Sequence, residues 1–314
     1  MSIIHVENLT KDYGHNRGVF DVTFKVKEGE VFGFLGPNGA GKTTTIRHIM
    51  GFSRPQAGVT TVTGLNCWEY PHEIQRKVGY LPGEIALPEY LTGTQFIKMM
   101  AELRGMSDMT YTHKLIKRFE LEHAGKLKRM SLGMKRKLAV VTAFMHDPDI
   151  LVLDEPTSGL DPVMQDIFIQ FVKAEKERGK TILLSSHIFT EVDATCDRIS
   201  IIKDGRLVST FVANDLRYSE SKEWMIEFST ADDFNRFNTR VGDAKLFYIT
   251  KSEPKRNRVK VSIKDKYVND FIAELSHYAI NFFTEIKFTL EDYFMKFYDR
   301  NTQVQEGGAS NGVN

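Results

Sequence analysis

Two periodicities of hydrophobic residues organise this sequence of 314 residues. Residues 20–26 alternate apolar with polar side chains, which predicts a half-buried strand, and residues 1–35 are expected to form antiparallel strands. Residues 150–153 are an unbroken apolar run, which is typical of a central parallel strand covered on both faces. Because such strands alternate with helical segments along most of the chain, the pattern predicts an α/β fold.

Helical periodicity dominates residues 92–146. Thr92 and Gln95 have the spacing of a capping box at the start of this region. We therefore expect a helical subdomain over about residues 84–146. The elements on either side of it belong, in this prediction, to one domain that spans residues 1–217.

A second, smaller α+β domain is predicted over residues 218–300. Its hydrophobic pattern gives a strand, a helix, two strands, a helix and a strand, which is the order of a ferredoxin-like sandwich. Residues 301–314 are rich in Gly, Asn and Gln and show no periodicity, so a disordered tail is predicted there.

A glycine-rich segment lies between the apolar run at residues 30–35 and a predicted helix. Its glycine, four residues, glycine, lysine and threonine form the phosphate-loop pattern. Glycines let backbone N–H groups approach a triphosphate, the lysine offers charge to the outer phosphates, and the threonine hydroxyl can ligate Mg²⁺. The helix adds the positive end of its dipole. The predicted nucleotide-binding residues are Gly36, Pro37, Asn38, Gly39, Ala40, Gly41, Lys42, Thr43 and Thr44, with Lys42 also catalytic and Thr43 a metal ligand.

Two carboxylates, Asp154 and Glu155, follow the apolar strand at residues 150–153. A carboxylate at a strand end beside the phosphate loop can hold Mg²⁺ directly or through water, which is the role predicted for Asp154. Hydrolysis needs a base that orients or deprotonates the attacking water, and Glu155 is the candidate. The alternative is a pair of acids that merely end a strand, and the presence of Lys42 upstream favours the catalytic interpretation.

The composition limits the partners of this nucleotide site. Lys and Arg number 42 against 41 Asp and Glu, and the net charge of +1 gives no broad basic surface for nucleic acid. Two cysteines cannot make a disulfide framework and suggest a reducing compartment. No secretory signal is visible, and no apolar stretch approaches the roughly 20 residues needed to span a bilayer. We expect a cytoplasmic protein whose work at a membrane is done through a partner.

Taken in order, these motifs resemble those of the ATP-binding subunit of an ATP-binding-cassette (ABC) transporter over about residues 2–215. Residues 150–156 are similar to the family's Walker B stretch, and residues 158–161, which end in Asp161, are similar to its D-loop. His187 follows the predicted strand at 181–184, where the family has a catalytic histidine that contacts the terminal phosphate. Tyr13 stands where the family has an aromatic residue that stacks on adenine.

Two motifs depart from the commonest pattern of the family. Residues 130–134 read Met-Ser-Leu-Gly-Met in place of the signature Leu-Ser-Gly-Gly-Gln, and Ser131 and Gly133 remain as the implied nucleotide contacts. The glutamine of the Q-loop is absent, and Gly83 and Glu84 follow Leu-Pro at that place. Glu84 is a candidate for contact with Mg²⁺ or its waters. These variants resemble the bacterial subgroup that powers drug and antibiotic-resistance exporters.

The resemblance implies a P-loop NTPase with an ABC-type core, made of an antiparallel β subdomain and the helical subdomain. Two such subunits, identical or different, would enclose ATP and Mg²⁺ between the phosphate loop of one and Ser131 and Gly133 of the other. A transmembrane permease docked near residues 83–91 would use ATP hydrolysis for transport, with export favoured. The subunit would then lie peripherally at the inner face of the cell membrane.

Two other functions are weighed against transport. A soluble ABC ATPase that acts on DNA or ribosomes usually has two cassettes or a long coiled-coil insert, whereas a single phosphate loop and no heptad run are visible here. A regulator that binds ATP without hydrolysing it would lack Asp154 or Glu155.

Overall fold

The two hydrophobic patterns of the sequence form two different sheets. A computed structural model describes residues 2–217, 221–239, 247–286 and 289–299. By its internal contacts the chain divides into two compact units, residues 1–213 and 214–314. The predicted tail over residues 301–314 lies outside the described residues.

Strands and helices alternate along the first unit. Its described strands are β1 (Ser2–Asp12), β2 (Gly18–Lys27), β3 (Val31–Leu35), β4 (Ala57–Val62), β5 (Leu65–Asn66), β6 (Val78–Leu81), β7 (Ile150–Asp154), β8 (Thr181–Ser186), β9 (Arg198–Lys203) and β10 (Arg206–Val212). Its described helices are α1 (Lys42–Ile49), α2 (Pro71–Lys77), α3 (Gly93–Leu103), α4 (Thr110–Arg118), α5 (Leu132–Phe144), α6 (Pro162–Glu177) and α7 (Phe189–Thr195). A short helix, α8 (Ala213–Arg217), spans the boundary between the units.

The larger sheet brings the ends of several parallel strands together. Its order is β10-β9-β3-β8-β7-β6, and every neighbouring pair is parallel except β10 with β9. The smaller sheet is antiparallel, in the order β2-β1-β4-β5. Parallel strands share one carboxyl edge, so the segments that follow β3, β7 and β8 meet at that edge. The α/β core and the antiparallel β subdomain expected from the sequence are confirmed.

The expectation that all of residues 1–35 form antiparallel strands is wrong for β3. All five residues of β3 are buried, and the strand lies between β8 and β9 in the parallel sheet. A strand covered on both faces needs apolar residues at every position, whereas β2 buries alternate residues. The unbroken run before the phosphate loop is the sequence signal for this difference.

Helices α3, α4 and α5 fall within the predicted helical subdomain. Thr92 and Gln95 form the predicted capping box, in which the Gln95 N–H donates to the Thr92 hydroxyl and the Gln95 side chain accepts from the Thr92 N–H. The sequence analysis missed α2 and α7, which have seven residues each and are too short to repeat a helical stripe.

An apolar core joins the two sheets beneath α1. The Phe24 ring of β2 stacks on Phe32 of β3 with ring centroids 5.2 Å apart, and Ile46 and Ile49 of α1 are fully buried in the same cluster. This packing fixes α1, and with it the loop that precedes the helix.

The second unit is an antiparallel sheet with helices packed on it. Its described elements are β11 (Ser221–Phe228), α9 (Ala231–Thr239), β12 (Phe247–Glu253), β13 (Arg258–Lys264), α10 (Val268–Leu275), β14 (Ile280–Ile286) and α11 (Leu290–Asp299). The sheet order is β12-β13-β11-β14. Alternate residues of β11 and β13 share a core with Phe237 of α9 and Phe271 of α10. The order of elements predicted for a ferredoxin-like sandwich is confirmed, and α11 follows it.

Candidate active site

The phosphate loop connects β3 to α1, and its backbone requires glycine at two positions. A Cβ at Gly36 would lie 2.4 Å from the Ile202 carbonyl oxygen. Gly41 has a φ of 108°, which favours glycine, and a Cβ there would lie 2.7 Å from the Val19 side chain. The first N–H groups of a helix have no partner within the helix, so those of α1 point out of its N-terminus. The loop therefore offers backbone N–H groups to an anion, together with the dipole of α1.

The remaining loop residues take the positions of a turn. Pro37, Asn38 and Gly39 are exposed at its tip, and the Ala40 N–H donates to the Pro37 carbonyl at 3.2 Å. The carbonyl oxygen of Thr44 is hydrogen-bonded to the His48 ring at 2.8 Å.

Lys42 is buried at the start of α1 and points back across the loop. Its ammonium donates to the carbonyls of Gly36 and Pro37 at 2.6 and 3.2 Å. The same Nζ lies 2.9 Å from Oε1 of Glu155. The lysine charge is thus held beside the carboxylate of Glu155, the predicted catalytic base.

Asp154 ends β7 and is fully buried between the phosphate loop and β8. The Thr43 hydroxyl donates to its Oδ2 at 2.7 Å, and the Ser185 hydroxyl donates to Oδ1. Ser185 pairs with Asp154 in the register of β7 and β8. The sequence analysis missed Ser185 because only the sheet register brings it to Asp154.

This donor set fits Mg²⁺. A hydroxyl and a carboxylate beside a phosphate loop match the way Mg²⁺ is held by one or two protein oxygens, phosphates and water. In the parts of the chain that the structure describes, no three His, Cys, Asp or Glu side chains cluster as an all-protein metal cage. Thr43 and Asp154 are the residues that would hold the ion.

Glu155 links Lys42 to His187, the histidine predicted to contact the terminal phosphate. Its backbone has a left-handed φ of 48°, which is costly for a non-glycine residue, so the surrounding structure must impose it. The Glu155 N–H donates to the Ser185 carbonyl at 3.0 Å. Its side chain faces Lys42 through Oε1, at 2.9 Å, and Nδ1 of His187 through Oε2, at 2.6 Å. His187 follows β8 directly, so three separate strand ends supply this cluster.

Tyr13 lies on a turn that leads into β2. Its N–H donates to the Arg17 carbonyl at 2.8 Å, and its ring is 56% exposed. Gly18, which begins β2, lies against the phosphate loop, because a Cβ on Gly41 would be 3.2 Å from the Gly18 carbonyl oxygen. The turn is therefore next to the loop, and the exposed Tyr13 ring has the Lys11 ammonium over it, 5.8 Å from the ring centroid.

Ser131 and Asp161 cap helices, and Gly133 packs against the turn at Gly159. The Ser131 hydroxyl accepts the Met134 N–H at 3.2 Å and caps α5, and the Asp161 carboxylate caps α6. A Cβ at Gly133 would lie 3.1 Å from the Gly159 carbonyl oxygen, so the two segments are in contact. Within the described residues, no hydrogen bond or ion pair joins Ser131 or Gly133 to the phosphate loop.

The segment after β6 reaches Asp154 through its backbone. A Cβ at Gly83 would lie 3.0 Å from Oδ2 of Asp154, whereas the Glu84 side chain is exposed. At this position the backbone of Gly83, and not the carboxylate of Glu84, approaches the predicted metal ligand.

Arg136, which the sequence analysis also missed, holds this segment in place. It is 3% exposed on α5 and donates to the carbonyls of Pro82 at 2.9 Å, Gly83 at 2.6 Å and Ser158 at 2.9 Å. Burial lowers the pKa of its guanidinium, while the nearby Asp154 carboxylate raises it. One planar side chain thus joins three segments around the site.

We expect Arg136→Gln to reduce the free energy of unfolding by about 2–3 kcal/mol, because several of its hydrogen bonds to carbonyls are lost. Urea unfolding of the purified chain measures this change. Arg136→Lys should lose nearly as much, since an ammonium cannot reach all three carbonyls. Lys135→Gln, the same change of charge at the neighbouring position, is the control. Equal stability of Arg136→Gln and Lys135→Gln would contradict the assigned role.

Comparison with known proteins identifies the family. The sequence profile described as ABC transporter matches residues 19–158. The chain is 31% identical over 315 residues to the Nod factor export ATP-binding protein I of Burkholderia lata. The alignment covers 96% of this chain and 98% of that protein. The chain belongs to the ABC transporter family. The bacitracin transport ATP-binding protein of Bacillus licheniformis is 34% identical over 234 residues, 74% of this chain and 76% of that protein.

The fold of this ABC protein agrees with that of solved relatives. A structure of the ATP binding subunit of an ABC transporter superposes with a TM-score of 0.63 and 32% sequence identity, over 68% of this chain and 92% of that one. The family and the ATPase activity inferred from the motifs are confirmed. In the described parts of this ABC protein, no helix has the length and apolar character needed to cross a membrane.

Proposed function

We propose that this ABC ATPase drives export through a separate membrane permease, to which it binds peripherally at the inner face of the cell membrane. The main support for ATP hydrolysis is that Glu155 contacts both Lys42 and His187, next to the hydrogen bond between Thr43 and Asp154. Phosphate loop, base and metal ligands lie at one sheet edge, as phosphoryl transfer from a nucleotide to water requires.

In this proposal ATP binds with its phosphates along residues 36–44 and its adenine on Tyr13. The N–H groups at the start of α1 and the ammonium of Lys42 bind the β- and γ-phosphates. A phosphate presents more negative charge than Glu155 and competes with it for Lys42. Mg²⁺, when bound by Thr43 and Asp154, supplies further positive charge against the phosphates.

Hydrolysis then depends on Glu155 and His187. Glu155 orients the attacking water and accepts its proton, and His187 holds the carboxylate through the contact at 2.6 Å. His187 is 44% exposed, so its ring is also accessible to the terminal phosphate. Most of the rate enhancement comes from fixed positions and charges, as is usual for phosphoryl transfer.

A second nucleotide-binding subunit completes the site. Ser131 is exposed at the N-terminus of α5, where a phosphate of ATP bound to another subunit can reach its hydroxyl and the nearby N–H groups. Asp161 begins α6 next to this surface. ATP between two subunits binds them together, and hydrolysis releases them.

The transport role is supported by the relatives, whose names refer to bacitracin transport and Nod factor export. The segment 83–91 is the proposed docking point of the permease, because Arg136 links its start to the site.

Affinity purification from detergent-solubilised membranes of the native host tests this function. We expect tagged full-length chain to retain an integral membrane protein with several spans, and its ATPase rate to rise in that complex. The Ser131→Arg variant, which blocks the proposed second ATP contact, should keep the permease and lose the ATPase activity. Recovery with nucleic acid or ribosomes, and with no integral membrane protein, would contradict the proposal.

A further inference from the structure

A buried carboxyl group, Glu191, lies behind the active site and belongs to no motif considered above. It is on α7, the helix that follows His187, and is 2% exposed. Buried carboxyl groups are costly and are usually retained for specific contacts. The carboxyl group of Glu191 is bonded to Ser186, next to His187, and interacts with Thr157 in the turn that follows Glu155.

One oxygen of Glu191 fixes the turn that contains His187, residues 186–188. The Ser186 hydroxyl donates to Oε2 of Glu191 at 2.6 Å and accepts the Ile188 N–H at 2.9 Å. The backbone on both sides of His187 is therefore tied to the carboxyl group. Displacing this turn would move the His187 ring away from Glu155.

The other side of the carboxyl group faces the turn after Glu155, residues 155–158. The Thr157 hydroxyl is 1% exposed and close enough to lower the pKa of Glu191, although the two form no hydrogen bond of standard geometry. In the described structure, Oε1 of Glu191 and Oγ1 of Thr157 are both buried without another partner. Polar atoms in this condition favour a small shift that would bring them together.

Packing alone does not account for this arrangement. A polar cavity of about 310 Å³ lies between α6 and α7, and Thr157 and Glu191 both line it. A side chain chosen only to fill space would be apolar and would close the cavity. The carboxyl group is instead placed where two hydroxyls from two catalytic turns converge.

We propose that Glu191 is a positioning residue that joins the His187 turn to the Glu155 turn and so holds the two side chains that act on the attacking water. In this role it acts through Ser186 and Thr157. The inference rests on the proposed roles of Glu155 and His187.

The electrostatic surroundings give this link a pH dependence. The pKa of Glu191 is raised to about 7, chiefly by burial and also by the Glu155 carboxylate, while hydrogen bonding from Ser186 and Thr157 and the charge of the Arg136 guanidinium oppose the rise. Asp166 and Lys173 of α6 line the adjoining cavity. The pKa of Glu191 in the folded chain lies above the ordinary glutamate value of 4.5, so the stabilising contribution of the protonated group is complete below pH 4.5 and is lost as the pH rises through 7.

Steady-state ATPase kinetics of the full-length chain test the link. We expect Glu191→Ala and Ser186→Ala to reduce kcat at least tenfold with KM for ATP within twofold, and the double variant to be no slower than either single variant. Glu191→Gln should retain kcat within about threefold, because its amide oxygen still accepts from Ser186. Thr157→Val, which removes a hydroxyl without changing the shape, should lower kcat several-fold.

The controls separate this link from a role in stability alone. Thr190→Ala alters an exposed residue on the same helix and should leave kcat unchanged. The midpoint of thermal unfolding of the parent, compared with Glu191→Gln, should fall as the pH rises from 4.5 to 7 and level off above it. Parental kcat in folded Glu191→Ala and Thr157→Val would overturn the inference, even if both were less stable. A parent chain that hydrolyses no ATP would instead refute the proposed function.

Discussion

Replacing Glu155 with glutamine should nearly abolish ATP hydrolysis while leaving ATP binding intact. A positioned general base contributes about 10²- to 10⁴-fold to a rate, and glutamine keeps the size of the side chain but cannot accept the proton. The Lys42 ammonium, 2.9 Å from Oε1, would lose a competing negative charge. ATP should therefore bind at least as tightly as it does to the parent chain.

Two measurements on the same samples test this result. Phosphate release at saturating ATP gives kcat, and titration with ATP and Mg²⁺ gives Kd. Glu177→Gln, the same substitution at an exposed position of α6, should have the parental kcat and Kd. Parental kcat in Glu155→Gln would show that another group activates the water.

Replacing Lys42 with alanine, in contrast, should weaken the binding of ATP. Lys42→Ala loses the charge that faces the phosphates, and a charged hydrogen bond is worth about 1.5–3 kcal/mol, so Kd for ATP should rise by about 10- to 150-fold. The carbonyls of Gly36 and Pro37 also lose their donor, which should loosen the loop.

Equilibrium titration with ATP measures this change, with thermal unfolding as a check that the chain remains folded. Arg47→Ala removes a positive charge from the exposed side of the same helix, α1, and should leave Kd unchanged. If Lys42→Ala and Arg47→Ala bound ATP equally well, the phosphates would not lie on residues 36–44.

The sequence predicts the local geometry of those parts of the candidate site that lie within one short segment. The phosphate loop follows from the spacing of Gly36, Gly41 and Lys42, and the acids at 154–155 follow from the apolar run before them. In both cases the required geometry is local, because a strand end or a helix start sets where the side chain goes.

The supporting residues could not be predicted because distant segments bring them together. Ser185 reaches Asp154 through the register of two strands, and Arg136 joins segments that lie 22 and 54 residues away along the chain. Nothing near Glu191 in the sequence indicates that its carboxyl group will be buried against Thr157. The sequence does contain a signal that β3 belongs to the parallel sheet, because its apolar run is not interrupted by polar residues.

The most direct test of the account is a crystal structure of Glu155→Gln with ATP and Mg²⁺. We predict the β- and γ-phosphates against the N–H groups at the start of α1, with Lys42 on the γ-phosphate, the ion on Thr43 and Asp154, and Ser131 of a second subunit facing the nucleotide. A nucleotide bound elsewhere, with the phosphate loop making no contact to it, would contradict the account.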